Sequence, residues 1–238
     1  MLEVDRLPQA WVEQANLMDE VWTPSSWGVE VFAASGVRRP LFAIPLGVDT
    51  ALFKPGPPRE RLRERTIFLS VFEWGRRKGW DVLLRAYRAA FAADDPVLLL
   101  LKIDCREPAL NPLRELAAAL PHPSPPVGLL YNQPLSDARL AELYHNADCF
   151  VLPSRGEGWG MPPLEAMACG LPVITTDWSG PTAFLSDKHA YPLPIRGLLP
   201  TGSAAAHYRA AQWAEPDGDV LVDLLRHVQR NPSEARAR

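Results

Sequence analysis

Two glutamates flank a glycine-rich turn in the second half of the chain. Glu157 and Glu165 stand eight positions apart, and the turn between them contains Gly158 and Gly160. Glycines let a main chain approach a ligand closely, and the start of a helix favours an anion through its free amides and its dipole. Carboxylates accept hydrogen bonds from hydroxyl groups. This combination predicts a ligand that carries phosphate and several hydroxyls, and a sugar nucleotide is the obvious candidate.

The segments around the turn predict a strand–loop–helix–strand unit. An apolar run comes before the turn and another comes after it, and both are typical of buried strands (Cys149–Leu152, Pro172–Thr175). Between them, a short helix is predicted over Leu164–Cys169, with Glu165 in its first turn and Gly170 at its end. The turn therefore presents its amides at the carboxyl end of a strand.

A second loop carries three adjacent cations. Arg76, Arg77 and Lys78 follow a predicted strand, Ile67–Phe72, and precede a helix predicted to start near Asp81. A phosphate leaving group gains negative charge when its bond breaks, and fixed cations stabilise that charge. A solvated basic turn would also explain three cations in a row.

The alternation of predicted strands and helices defines the fold class. It predicts an α/β protein with a Rossmann-like open parallel sheet and helices on both faces, built from right-handed crossovers between residues 67 and about 193. The strand Val97–Ile103 is uniformly apolar, as expected for a sheet covered on both faces. Ligands of such sheets bind beyond the carboxyl ends of the strands, where loops 73–79 and 153–164 are both expected.

Residues 156–174 resemble the Glu-x7-Glu signature of the group 1 (family 4) glycosyltransferases. The similarity extends from about Ile44 to about Arg230 and includes the turn at 47–49, the Lys78-Gly79 pair and residues 143–148. The resemblance implies one half of a GT-B fold and a hexosyl-type transferase. Such enzymes use a nucleotide-sugar donor, retain the anomeric configuration and need no metal or other cofactor.

The resemblance also implies roles for individual residues. Glu165 matches the glutamate that binds the ribose hydroxyls. Glu157 matches the glutamate beside the donor sugar, where it could hold sugar hydroxyls or stabilise positive charge at the anomeric carbon. Backbone groups of the turn would face the diphosphate and the sugar, which makes the following residues candidates for donor binding: Gly158, Trp159, Gly160, Met161, Pro162 and Leu164.

Lys78 matches the family's phosphate-binding lysine and is, with Glu157, a candidate catalytic residue. The family's usual arginine stands five residues before that lysine, and here this position is Glu73. Arg76 or Arg77 would then take its place. Gly47, in the turn after a predicted strand at 41–45, is a further candidate for contact with the donor phosphates, although turn geometry alone would also explain a glycine there.

The resemblance predicts three segments. Residues 1–46 match only the closing segment of an N-terminal acceptor domain. Residues 47–66 would form an interdomain linker, and residues 67–238 would form the nucleotide-sugar-binding domain. Most groups that would hold a glycan, lipid or small-molecule acceptor are then absent. We therefore expect weak donor binding by this chain alone and transfer only in a longer or two-chain assembly. An apolar face left exposed on residues 1–46 would also favour self-association.

Composition excludes several other classes. The 238 residues are 47% hydrophobic and 22% charged, which is ordinary for a globular protein. A net charge of −3 gives no reason to expect a nucleic-acid partner. No apolar run approaches the ~20 residues of a membrane span, and the first residues do not form a secretory signal. These features predict a cytoplasmic protein without a transmembrane segment.

Metal and dinucleotide sites are not predicted. The five histidines lack ligand spacing, and helix capping explains the acidic pair Asp217 and Asp219. A dinucleotide fingerprint would place its third glycine at Pro163. Two alternatives to the transferase stay open: a non-catalytic nucleotide-sugar-binding module, and another GT-B-like enzyme such as a sugar-nucleotide epimerase or a glycan phosphorylase. The lack of a recognisable lysine for pyridoxal phosphate counts against the phosphorylase.

Overall fold

A six-stranded parallel sheet forms the centre of the protein in a computed structural model that describes residues 2–56, 65–202 and 206–237. Its strands are β3 (Thr66–Glu73), β4 (Val97–Asp104), β5 (Val127–Tyr131), β6 (Cys149–Leu152), β7 (Val173–Thr176) and β8 (Tyr191–Leu193). They lie in the spatial order β5-β4-β3-β6-β7-β8. The strand order confirms the predicted Rossmann-like α/β fold.

The strand order reverses between β3 and β6. The helices are α3 (Trp80–Ala90), α4 (Pro112–Ala119), α5 (Asp137–His145), α6 (Met161–Ala168), α7 (Gly218–Arg230) and α8 (Pro232–Ala237). Since crossovers between parallel strands are right-handed, α3 and α4 cover one face and α5 and α6 the other. The reversal creates a crevice between β3 and β6, which is where ligands of such sheets bind.

Local sequence explains where three of these helices begin. The Asn111 side chain accepts from the Arg114 amide and Pro112 follows it, while the Ser136 hydroxyl accepts from the Arg139 amide. The Asp217 carboxylate accepts from two amides at the start of α7, which confirms its explanation as a cap.

The large core lies on both faces of the sheet. Val97, Leu99, Leu101 and Ile103 of β4 are fully buried, as are all residues of β6. The apolar face of α3 packs against them as its periodicity predicts. Burying each such side chain stabilises the fold by about 1.5–3 kcal/mol, so the strand ends that carry the loops are held rigidly.

The N-terminal residues form a separate small layer. It contains α1 (Gln9–Ala15), β1 (Val21–Thr23), α2 (Ser26–Ala34) and β2 (Leu41–Ala43), with β1 and β2 paired in parallel. A second core joins this layer to an antiparallel pair, β9 (Ile195–Pro200) and β10 (Gln212–Pro216). That core consists of Leu2, Val4, Leu7, Val12, Val31, Val37, Ala211 and Trp213. The sequence did not predict β9 and β10.

Part of the predicted linker packs on the large core. Phe53 is buried, and its ring meets Tyr144 edge-on at 6.0 Å between centroids. Val48 and Leu52 are half-buried against the same core. Residues 57–64 of this linker lie outside the described residues. The division into three segments remains a prediction, but residues 48–53 are anchored to the sheet domain.

Apolar side chains of the N-terminal layer are exposed, as expected. Trp22 on β1 is 64% exposed, and Phe42 on β2 and Ile44 just after it are each 45% exposed. Parallel strands normally have both faces covered, so this pair is an incomplete layer. No helix in the described part of the chain has the length and apolarity that a membrane span requires.

Candidate active site

The loops after β3 and β6 meet through an ion pair. The Lys78 ammonium donates to both carboxylate oxygens of Glu157, at 2.6 and 2.8 Å. Glu157 is only 5% exposed, and its own amide donates to the Ser179 hydroxyl. The two candidate catalytic residues, which are far apart in sequence, are therefore in direct contact at the crevice between β3 and β6.

Arg77 is the arginine of this loop that reaches the ion pair. Its guanidinium donates to the Gly156 carbonyl at 2.6 Å and lies 3.6 Å from the Glu157 carboxylate. The Arg76 side chain is exposed and has no ion pair with any residue the structure describes. Of the two arginines that the sequence left open, Arg77 therefore has the geometry to act together with Lys78.

Opposing effects set the charge of Glu157. Burial raises the pKa of this carboxyl, but the charges of Lys78 and Arg77 and the Lys78 hydrogen bond lower it more, so its pKa lies below its usual value. Glu157 is therefore ionised at neutral pH. A buried carboxylate held by two cations keeps a fixed negative charge in the crevice.

Gly79 allows the two loops to approach. Its φ is +67°, and a Cβ on this residue would lie 1.8 Å from the Pro153 carbonyl oxygen. A side chain would therefore strain the backbone and also collide with a backbone atom that cannot easily move. The Lys78-Gly79 pair is explained by this contact: the lysine reaches Glu157 because the next residue has no side chain.

Gly79→Ala is expected to lower the free energy of unfolding by at least about 2–3 kcal/mol, because left-handed strain alone costs about 1–2 kcal/mol. Gly75→Ala in the same loop is the matched control. Its Cβ would meet nothing within 4 Å and its φ of 168° suits any residue. Urea denaturation of both variants checks this prediction, and equal stabilities would contradict the close approach.

The helix after the turn starts earlier than predicted. It begins at Met161 rather than Leu164, after Gly160 in a left-handed conformation with φ +99°. Pro162 and Pro163 occupy the first turn because proline needs no partner for an amide there. Glu165 consequently lies in the second turn, so its predicted place in the first turn was wrong.

Fewer amides are available to a ligand than the sequence suggested. Pro162 has no N–H, and the Leu164 amide donates to the Gly160 carbonyl at 3.2 Å. The Leu164 amide therefore already has a partner within the helix and is not free to bind the diphosphate. The amides without a partner among the described residues are those of Gly158, Trp159, Gly160 and Met161.

Glu165 is held by a tyrosine. The Tyr144 hydroxyl, on a fully buried ring of α5, donates to the Glu165 carboxylate at 2.8 Å. Burial raises the pKa of Glu165, and the hydrogen bond from Tyr144 offsets only part of that effect. The bond fixes one carboxylate oxygen, and the other keeps its accepting capacity for a ligand.

Two further candidates occupy different surroundings. The Trp159 side chain is buried and packs edge-on against Phe184, so only its backbone faces the crevice. Gly47 is exposed, and a Cβ there would meet nothing within 4 Å. Over the described ranges, no hydrogen bond joins the turn of Gly47 to Lys78 or Glu157.

Arg155 lies beside the site and no sequence pattern indicated its role. It is 1% exposed and donates to both carboxylate oxygens of Asp81, at 2.7 and 2.9 Å, and to Glu215 at 2.9 Å. It also donates to the Arg76 carbonyl at 2.7 Å. Arg155 thereby ties the Lys78 loop, the start of α3 and β10 to the turn that carries Glu157.

Curated relatives match more than half of this chain with less than half of their own length. A D-inositol 3-phosphate glycosyltransferase from Acidothermus cellulolyticus is 29% identical over 225 residues, which cover 89% of this chain and 48% of that protein. An MMP alpha-(1->4)-mannosyltransferase from Mycolicibacterium hassiacum is 34% identical over 139 residues, which cover 57% of this chain and 31% of that protein. The chain thus spans at most about half the length of these two relatives.

Solved structures show the same fold. A sucrose-phosphate synthase from Thermosynechococcus elongatus superimposes with a TM-score of 0.71 and 21% identity, covering 95% of this chain and 53% of that one. An Anabaena protein solved with UDP and glucose superimposes with a TM-score of 0.70 and 17% identity, covering 96% of this chain and 60% of that one. The C-terminal domain of a Francisella tularensis group 1 glycosyl transferase superimposes with a TM-score of 0.61 and 19% identity, covering 80% of this chain and 91% of that one.

The family assignment rests on the sequence that contains both loops. Residues 57–215 match the family described as glycosyl transferases group 1. They include the Lys78 loop, the Glu157 turn and α6, which together form the crevice described above. The chain belongs to the group 1 glycosyl transferases.

Proposed function

We propose that this chain is the donor-binding portion of a retaining hexosyltransferase. It would transfer a sugar from a nucleotide-sugar to a glycan, lipid or small-molecule acceptor. The observation that carries the proposal is the contact of Lys78 with Glu157 at the crevice between β3 and β6, next to four amides that have no partner among the described residues. Cations, a carboxylate and free amides in one crevice match a ligand with a diphosphate and a sugar.

The diphosphate would bind between the basic loop and the start of α6. The amides of residues 158–161 point to no protein acceptor in the described part of the chain, and the dipole of α6 favours an anion there. Lys78 uses two of its three protons on Glu157 and keeps the third for a phosphate oxygen. The two cations would stabilise the negative charge that the leaving diphosphate gains.

Glu157 would act on the sugar. As the bond to the diphosphate breaks, positive charge develops at the anomeric carbon, and an ionised carboxylate nearby stabilises it. Because Lys78 and Arg77 already hold this carboxylate, an electrostatic role suits it better than nucleophilic attack. The configuration would be retained if the acceptor enters on the face from which the diphosphate departs.

Glu165 would bind the ribose. Its free carboxylate oxygen can accept from ribose hydroxyls, while Tyr144 fixes the orientation of the group. Each charge-assisted hydrogen bond of this kind contributes roughly 1.5–3 kcal/mol. Ribose binding by α6 and phosphate binding at its start would align the donor along one side of the sheet.

The acceptor would require more protein than this chain. Transfer needs the acceptor oxygen within ~3–3.5 Å of the anomeric carbon, and the small N-terminal layer offers few groups to hold it. The exposed Trp22, Phe42 and Ile44 are the surface against which further protein would pack, in the same polypeptide or in a second copy. Activity of the isolated chain is expected to be low or absent.

The affinity for a nucleoside diphosphate is expected to fall on acidification, starting above the ordinary glutamate pKa of 4.5, because the pKa of Glu165 is raised. Only the ionised carboxylate accepts from two hydroxyls, so affinity should drop about tenfold per pH unit below the pKa that Glu165 has in the ligand-free protein. Calorimetric titrations between pH 4.5 and 8 measure this. In Glu165→Gln the ligand still titrates but residue 165 no longer does. If the affinity of this variant depends on pH in the same way as that of the wild type, the role of Glu165 is contradicted.

Titration with UDP-, GDP- and ADP-sugars, followed by an assay for sugar release, tests the proposed function. The proposal expects binding that Lys78→Met weakens, together with slow hydrolysis or transfer once an acceptor-binding partner is supplied. Binding without turnover under every condition would favour the alternative, a non-catalytic nucleotide-sugar-binding module. No binding of any sugar nucleotide would contradict both.

A further inference from the structure

A cavity of about 490 Å³ opens at the carboxyl ends of β3, β4 and β5. Its walls include Val71 from β3 and Leu140 from α5, together with the segment Pro134–Leu135. It lies on the face that α5 and α6 cover, which is also the face of Tyr144 and Glu165. A nucleoside whose ribose binds Glu165 would therefore have this cavity, lined by apolar and polar side chains, on the same face of the sheet.

The cavity contains an ion pair at its edge. Lys102 and Asp104 are two residues apart on β4, so both side chains point to the same face of the sheet. The Lys102 ammonium donates to Asp104 Oδ2, and Lys102 is only 6% exposed. The Asp104 side chain is 41% exposed at the rim. A lysine buried in this way needs polar partners to offset its desolvation.

This ion pair has unused hydrogen-bonding capacity. Lys102 has three N–H donors and uses one of them, and Asp104 Oδ1 accepts no hydrogen bond from any residue that the structure describes. Asn132, in contrast, is tied into the rim: its Oδ1 accepts from the Cys105 amide at 2.8 Å and its amide group donates back to the Cys105 carbonyl. The pair thus presents a donor next to two acceptor positions in the cavity.

The pattern of donor and acceptors selects among bases. Guanine presents one acceptor, O6, followed by two donors, N1–H and the amino group, so it matches a lysine beside a carboxylate at all three positions. Uracil has a single donor between two carbonyl oxygens. One carbonyl oxygen would therefore face the carboxylate, to which it cannot donate. Adenine offers one donor and one acceptor, and so uses only part of the pattern.

We propose that Lys102 and Asp104 read the base of the donor and that this base is guanine. The inference rests on the proposed function, since it assigns the nucleotide of the same donor site. Asp104 would accept from N1–H and the amino group, and Lys102 would donate to O6. A matched bidentate contact of this kind discriminates between bases by about 10–100-fold.

The test compares GDP, UDP and ADP by calorimetry on the wild-type chain and on four variants, one of which, Lys78→Met, reports on the phosphate site. For the wild type we expect GDP to bind at least about tenfold more tightly than UDP or ADP. Asp104→Asn should remove most of the preference for GDP and leave UDP affinity within about twofold. Lys102→Met should also reduce the preference. Asp94→Asn, at an exposed position before β4, is the matched control and should leave all three affinities unchanged.

The outcomes separate this inference from the proposed function. Equal affinities for the three diphosphates, all weakened by Lys78→Met, would overturn the guanine assignment and leave the donor site standing. A preference for UDP or ADP would overturn it as well. If no diphosphate binds, the donor site itself is refuted and the base assignment falls with it. The wild-type ranking needs no variant, so the test does not depend on the folding of Lys102→Met.

Discussion

Replacing Glu165 by alanine is expected to weaken nucleoside diphosphate binding by about 10²–10⁴-fold. Two charge-assisted hydrogen bonds to the ribose contribute roughly 1.5–3 kcal/mol each, and each 1.4 kcal/mol corresponds to a factor of about ten in affinity. Tyr144 holds the carboxylate in place before the ligand arrives, so little ordering entropy is lost on binding. Calorimetry with the preferred diphosphate measures the change.

The controls for Glu165→Ala distinguish a lost contact from a damaged fold. Glu142→Ala removes an exposed carboxylate of α5 that pairs only with Arg139 among the described residues, and it should leave the affinity unchanged. Inorganic pyrophosphate, which has no ribose, should bind equally to Glu165→Ala and to the wild type. An affinity for the diphosphate within threefold of wild type in Glu165→Ala would contradict the ribose-binding role.

Arg155→Met is expected to lower the free energy of unfolding by about 3 kcal/mol, the low end for breaking a buried ion pair. The substitution leaves Asp81 and Glu215 without their guanidinium, and both carboxylates are partly exposed, which limits the loss. Since Arg155 also holds the Arg76 carbonyl, the basic loop should lose its position and diphosphate affinity should fall. Urea denaturation and calorimetry on the same preparation measure both effects.

Arg85→Met is the matched control because Arg85 pairs with the same carboxylate of Asp81. The Arg85 side chain is largely exposed, and such surface pairs contribute about 0–1 kcal/mol. Arg85→Met should therefore change stability by less than about 1 kcal/mol and leave binding intact. Equal stability losses in the two variants would show that Arg155 is not the residue that holds the loops together.

The sheet could be predicted because its signals are local. The uniformly apolar runs of β4 and β6 each define a buried strand, and the caps at Asn111, Ser136 and Asp217 each define a helix start. The alternation of such elements leaves few topologies for a parallel sheet. The presence of both charged loops at one edge followed directly from that topology.

The contacts within the site could not be predicted in the same way. No local pattern indicated a role for Arg155, because its partner Glu215 lies on β10, a strand that the sequence did not predict. The start of α6 was misplaced because a helix predicted from Leu164 leaves out Pro162 and Pro163, which lie in its first turn. The choice of Arg77 over Arg76 depends on a hydrogen bond to Gly156 that no local pattern reveals.

A crystal structure of the chain with a bound nucleoside diphosphate is the sharpest test of the proposed donor site at the crevice between β3 and β6. We expect the β-phosphate within hydrogen-bond distance of Lys78 and of the amides of residues 158–161, with the ribose on Glu165. A diphosphate bound elsewhere, such as the pocket around Gly56 and Cys169, with Lys78 and Glu157 still paired only to each other, would contradict it.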